Sequence, residues 1–134
     1  MSNLFDKTTD ALANSIRFRQ VRHNITSANI ANAETPNYHA KKVEFEDALA
    51  RALDLDGKSA LSTTNGDHYA VGGNPAVEPG IYENPDVAVS NDGNTVDLEK
   101  EMSALQENSI LYKSALQLIN KKMASLKYAI SETK

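Results

Sequence analysis

The stretch LEKEMSALQENSILYKSALQLINKKMASLKYAI, residues 98–130, decides how the rest of the chain is read. Leu98, Leu105, Tyr112, Ile119 and Leu126 recur every seven residues, and Met102, Ser109, Leu116, Met123 and Ile130 form a second series offset by four. Only Ser109 interrupts the apolar pattern, and no Pro or Gly interrupts the run. Alternating four- and three-residue steps describe a helix with a narrow apolar seam, as in coiled coils. Fully desolvated, each apolar side chain of that seam contributes about 1.5–3 kcal/mol. A one-sided helix alone in water is marginal, so its stability depends on what covers the seam.

Working back from there, the spacing predicts a second amphipathic helix over residues 3–32, which lack Pro and Gly and place Ala11, Phe18, Val21, Ile25 and Ala28 at seven-, three- and four-residue steps. Its stripe is less regular, with Lys7 and Asn14 on it and Leu12 and Ile16 off it. Arg17, Arg19, Arg22 and His23 give its middle a basic face, whose default role is solvation. Pro36 stops the helix, because proline disfavours helical geometry at Thr35. Thr35-Pro36-Asn37-Tyr38 fits a type II turn with Asn37 at the positive-φ position. Asn29 and Asn32 stand on the last helical turn, where local capping is the simplest use of their amides. Phe45, Leu49 and Leu53 then predict a short helix over 43–53.

Residues 54–94 hold six glycines and three prolines, which predicts an extended, largely irregular segment with at most short strands at Tyr69–Val71 and Val87–Val89. Asn94 or Thr95 is the expected N-cap of the last helix, over 95–131, and Asp97, Glu99 and Glu101 suit its positive dipole end. The expected fold is mainly α. Long N- and C-terminal helices pair as an elongated coiled-coil-like hairpin, carrying a turn at 33–42 and the short third helix, all within one domain, 1–134. Phe18, Val21, Ile25, Leu105, Tyr112, Leu116, Ile119 and Met123 are the expected seam and assembly contacts.

Charge and composition narrow the function. Residues 44–97 carry eleven acidic side chains against Arg51 and Lys58, a local balance of −9 within a net charge of −4. Basic residues neither cluster densely nor interleave with aromatics, which disfavours a nucleic-acid interface. There is no cysteine, hence no disulfide or thiolate site. The start, Met1-Ser-Asn-Leu-Phe-Asp-Lys7, lacks the pattern of a cleaved signal, no apolar run reaches membrane-spanning length, and no direct lipid binding is expected. His23, His39 and His68 have no partner at metal-ligand spacing. Asp54 and Asp56 near Gly57 begin like a calcium loop, yet Asn65 stands where the glutamate belongs. No phosphate loop or nucleophile–base motif occurs, so no catalytic residue, cofactor or metal is assigned and a structural protein is expected.

The string Asn29-Ile-Ala-Asn-Ala-Glu-Thr-Pro-Asn-Tyr38, preceded by a helix with Arg22 and followed by Val43-Glu-Phe-Glu-Asp-Ala-Leu49, resembles the N-terminal signature of bacterial flagellar rod and hook proteins. The stretch from Tyr38 into Phe45 and Leu49, with Gly93-Asn-Thr-Val-Asp-Leu98, is similar to the proximal rod members of that group. One departure is Asn37 where the family usually has Gly, a mild change because Asn also tolerates positive φ. The resemblance makes Asn29, Asn32, Thr35, Pro36, Asn37 and Tyr38 the signature turn. It implies a structural subunit of the periplasmic shaft that transmits motor torque, exported through the flagellar type III channel without a cleaved signal and consolidating its terminal helices on assembly. Implied partners are further copies in a helical array, other rod subunits, the rod-adaptor protein at the inner-membrane ring and the export gate. A neighbouring rod protein or another axial protein, and more distantly a soluble coiled-coil adaptor, are the competing readings.

Overall fold

The computed structural model describes residues 7–53 and 78–132. Its elements in chain order are helix α1 (Lys7–Ala31), strand β1 (Lys41–Val43), helix α2 (Glu46–Leu53), strand β2 (Ile81–Glu83) and helix α3 (Leu98–Ser131). The chain is mainly helical, with two long helices near its ends. At 1.5 Å per residue α3 is about 50 Å long.

The blurred stripe of α1 follows from its serving two partners at once. Phe18 is fully buried against Phe45 and Ala48, with Leu49 and Ala52 of α2 packed around them. The next residue, about 100° around the helix, takes part in the contact with α3: the Arg19 carbonyl accepts a 2.8 Å hydrogen bond from Asn108 Nδ2. A helix covered on two flanks cannot confine its apolar residues to one narrow seam. Phe18 and Phe45 meet edge to face, with centroids 6.2 Å apart and ring planes at 82°. The Arg19 and Arg22 guanidiniums lie 4.8 and 4.5 Å from the Phe45 centroid, closing the small core with cations over aromatic faces.

On α3 the expected seam is half right. Leu105, Tyr112, Ile119 and Leu126 are half-buried, but the companion row on their inner side is Glu101, Asn108, Ala115 and Lys122, in which Asn108 and Ala115 are the most deeply buried residues of the helix. Of the expected second series, Met102, Met123 and Ile130 are exposed while Ser109 and Leu116 are half-buried, and Leu98 of the first series is 45% exposed. Small and polar residues take the inner row because they permit close approach and cross-helix hydrogen bonding there.

Four boundaries after α1 differ from expectation. Helix α1 is described from Lys7, and residues 3–6 lie outside the described residues. The segment 33–42 is a turn that already enters β1 at Lys41, and the short helix starts at Glu46 because Val43 closes the strand. Buried Phe45 supplies the carbonyl that receives the Leu49 N–H. Within 54–94, Val87–Val89 is not a strand; β2 pairs antiparallel with β1, matching Lys41 with Glu83 and Val43 with Ile81, while Tyr69–Val71 lies outside the described residues. Bonds from Glu44 N to Gly80 O and from Asn84 N to Ala40 O extend the ribbon at both ends. The N-cap of α3 is Asp97, whose carboxylate accepts from Lys100 N at 3.2 Å, because Asn94 and Thr95 are engaged elsewhere.

Replacing Phe18 by Ala opens a void under α2 and is expected to lower stability by about 3–5 kcal/mol, read by denaturant unfolding; a loss below about 1 kcal/mol would show that the Phe18–Phe45 core does not hold α2.

Candidate functional site

Asparagines join the two stretches that carry the family resemblance. Asn29 is 1% exposed. Its Nδ2 donates to the Lys41 carbonyl at 2.8 Å and to Glu101 Oε2 at 3.1 Å, and its Oδ1 accepts from the Tyr38 hydroxyl and from Lys41 N, both at 3.0 Å. Both donors and both acceptor sites of the amide are therefore in use. One side chain thus ties the end of α1 to the turn, to β1 and to the first turn of α3. Local capping, expected of Asn29 and Asn32 alike, holds only for Asn32, whose Nδ2 donates to Ala28 O at 2.8 Å.

Asn94 does the reciprocal work from the other side. Its Nδ2 donates to the carbonyls of Asn32 and Thr35 at 2.9 and 2.8 Å, and its Oδ1 accepts from Val96 N at 2.8 Å. Thr95 Oγ1 accepts from Ala40 N at 2.8 Å, and Thr95 N donates to Tyr38 O at 3.0 Å. The carbonyls freed at the end of α1 are thereby satisfied by a segment some sixty residues away. The turn itself has the expected form. Asn37 has φ 59°, and Tyr38 N bonds back to Thr35 O at 3.3 Å.

Asn37 N also donates to Asp92 O at 3.0 Å, bringing the turn against Gly93. Gly93 has φ 79°, and an added Cβ would collide with Asn37 Oδ1. Only glycine fits this contact without strain.

The electrostatics of the clamp centre on Glu101. Burial raises its pKa and nearby Asp97 adds to the rise, while the hydrogen bond from Asn29 opposes it. Burial likewise raises Tyr38, with Glu101 contributing, which keeps the phenol a neutral donor to Asn29. At the edge of the core, burial and then Arg22 lower Arg19, with Glu46 and Glu107 opposing. On the far side of α2, the hydrogen bond from Arg51 lowers Glu44.

The hydrogen bonds of this clamp join segments of the chain to one another. Among the described residues no cluster of His, Asp and Glu is arranged to hold a metal ion, and no helix is long and apolar enough to cross a membrane. Of the expected assembly contacts, Phe18 is buried within the chain and has no face left for another subunit; Val21, Ile25, Leu105, Tyr112, Leu116 and Ile119 are half-buried, and Met123 is exposed. The signature residues Asn29, Asn32, Thr35, Asn37 and Tyr38 do converge through their hydrogen bonds and the contact with Gly93, whereas Pro36 is exposed on the turn. Asn94, Thr95 and Glu101, missed as site residues, complete the clamp. The signal for Asn94 and Thr95 in the sequence was the Gly93–Leu98 string, recognisable as a motif but not as the partner of Asn29–Tyr38, and Glu101 carried only the sign of a helix-start acid.

A model of the family described as Flagella basal body rod protein matches residues 18–39, the part of the chain that contains Asn29 and the turn. The FlgB rod protein of Cereibacter sphaeroides is 39% identical over 118 residues, covering 88% of this chain and 89% of that protein. The chain belongs to the FlgB family. The FlgB proteins of Aeromonas hydrophila and Bacillus subtilis are 35% and 32% identical, with 97% and 96% of this chain covered and 97% of each relative. The FlgB family chain described here is accordingly a structural component of the flagellar basal body rod. Similarity over nearly the full length includes both halves of the clamp.

Because the folded state holds the Glu101 proton more tightly than the unfolded chain does, ionisation of Glu101 costs stability above its raised folded pKa, and that cost disappears as pH falls through it. Glu101→Gln, which retains an acceptor for Asn29, is expected to melt with wild type near pH 4 and above it at neutral pH. A gap in melting temperature that does not open as pH rises would contradict this account of Glu101.

Proposed function

We propose that this FlgB family chain is a subunit of the proximal rod, polymerising through α1 and α3 as a coiled-coil-like hairpin to build the part of the shaft that crosses the periplasm and transmits torque. The observation that carries this reading is the apolar surface α3 keeps after packing on α1. Leu111 and Leu118, one heptad apart on one face, are 39% and 56% exposed, and Ile110 and Met102, on other sides of the helix, are 59% and 57% exposed. Such a row on a long helix fits a neighbouring subunit. Head-to-tail contacts that do not close into a ring generate a helical array, as a shaft requires.

Association then covers apolar surface that the lone chain leaves in water, so folding of the terminal helices and polymerisation reinforce each other. That coupling suits a chain exported unfolded through the type III channel without a cleaved signal, and the lack of cysteine leaves no disulfide to obstruct it. The specific partners are other rod subunits, the rod-adaptor protein at the inner-membrane ring and the export gate.

Leu118→Asp separates assembly from folding, since the side chain is mostly exposed in the single chain. The variant is expected to change monomer stability by about 0.5 kcal/mol or less, yet to fail to restore swimming and hook assembly to a strain lacking the protein. Normal swimming with Leu118→Asp would remove this face of α3 from the rod contacts. A deletion strain that swims and builds hooks would remove the rod reading itself.

A further inference from the structure

The seven-residue repetition of α3 leaves its seam unable to define its own register. Leu98, Leu105, Tyr112, Ile119 and Leu126 superpose on one another when the helix slides by one heptad, about 10.5 Å, so apolar still meets apolar. The inner row does not repeat: Glu101, Asn108, Ala115 and Lys122 are four different chemistries. Glu101 and Asn108 are pinned to α1. Glu101 Oε2 receives Asn29 Nδ2, and Asn108 Nδ2 donates to the Arg19 carbonyl across 89 residues of sequence.

Asn108 is only 3% exposed, and its Oδ1 is buried without a hydrogen-bond partner. An apolar residue would fill that position at lower cost, which is the situation of a single buried asparagine that sacrifices stability for register in a coiled coil. Just before α3, Asn94 and Thr95 fasten the helix start to the carbonyls and amides of residues 32–40.

We propose that Asn108 and the Asn94 clamp form a two-level register lock between α1 and α3, through which the signature string positions the faces of these helices. This rests on the reading that the two helices act as a pair in the rod. Asn108 is the pin within the seam, and Asn94 is the pin at its end. Either bond set is lost if α3 slides by a heptad, while the apolar row is indifferent to the slide.

The absence of native cysteine allows the register to be read by cross-linking. Gln20 and Lys113 line one groove between α1 and α3. Gln20→Cys is combined with Lys113→Cys, or with Gln106→Cys or Asn120→Cys one heptad to either side, in the purified full chain under conditions where circular dichroism shows the helices formed. A short bismaleimide then reports which pair is adjacent. In the native background the 20–113 pair is expected to dominate. With Asn94→Ala and Asn108→Leu together, its preference over the shifted pairs is expected to fall by about tenfold, with each single variant giving part of that loss.

Asn108→Leu adds an apolar side chain to the seam and retains helix content, so it remains informative if the double variant does not fold. A preference for 20–113 that survives in Asn108→Leu with its helical signal intact overturns the role of Asn108, and the same result in Asn94→Ala overturns that of the clamp. A purely stabilising role would lower the melting temperature without moving the cross-link. Loss of swimming in Leu118→Asp alongside an unmoved cross-link would leave the rod reading standing and the lock refuted.

Discussion

Four hydrogen bonds converge on the buried amide of Asn29, and the arrangement of the described chain depends on them. Removing that side chain would strand the Lys41 peptide, the Tyr38 hydroxyl and the Glu101 carboxylate together, in surroundings where an unpaired polar group is costly. The bonds constrain the chain because they are complete. An asparagine with all its donors and acceptors engaged has no second arrangement of similar energy. The end of α1, the turn, β1 and the start of α3 are consequently tied together through one side chain.

Around that piece the apolar contribution is small. The buried aromatic core is Phe18 on Phe45, with Ala48 beneath and two arginines over the Phe45 ring. Much of the aliphatic surface of α3 remains in water. A protein whose polar clamp is finished and whose apolar surface is not is suited to assembly, since the clamp presents the long helices in a defined orientation and the remaining surface supplies the drive to associate. Membership of the FlgB rod family agrees with that division of labour.

The Asn29–Tyr38 string shows how a motif can be recognised before its mechanics are understood. Pro36 and Asn37 revealed the turn directly, because fixed φ at one and tolerance of positive φ at the other are local properties. Asn29 gave no such sign. Its partners lie at Lys41 and Glu101, and nothing in the spacing of Asn29 and Asn32 distinguishes a residue that caps its own helix from one that reaches across the fold. Asn94 and Thr95 misled for the same reason: they are good helix N-caps by type, but tertiary partners engaged them first and left the cap to Asp97.

From the sequence alone came the two long helices, the break at Pro36, the positive φ at Asn37, a short helix carrying Leu49 and the family signature. Each follows from residue type and spacing within a few turns of chain, where backbone sterics and periodicity decide the outcome. Only the tertiary structure decided which side of α3 faces inward, that β1 pairs with β2, and that Asn29 and Asn94 close one clamp. Heptad periodicity identifies an apolar stripe but not which flank of it receives the partner, and hydrogen bonds between residues sixty or seventy positions apart leave no trace in local spacing. Close approach and polar pairing selected Asn108 and Ala115 over the bulkier Met102 and Met123.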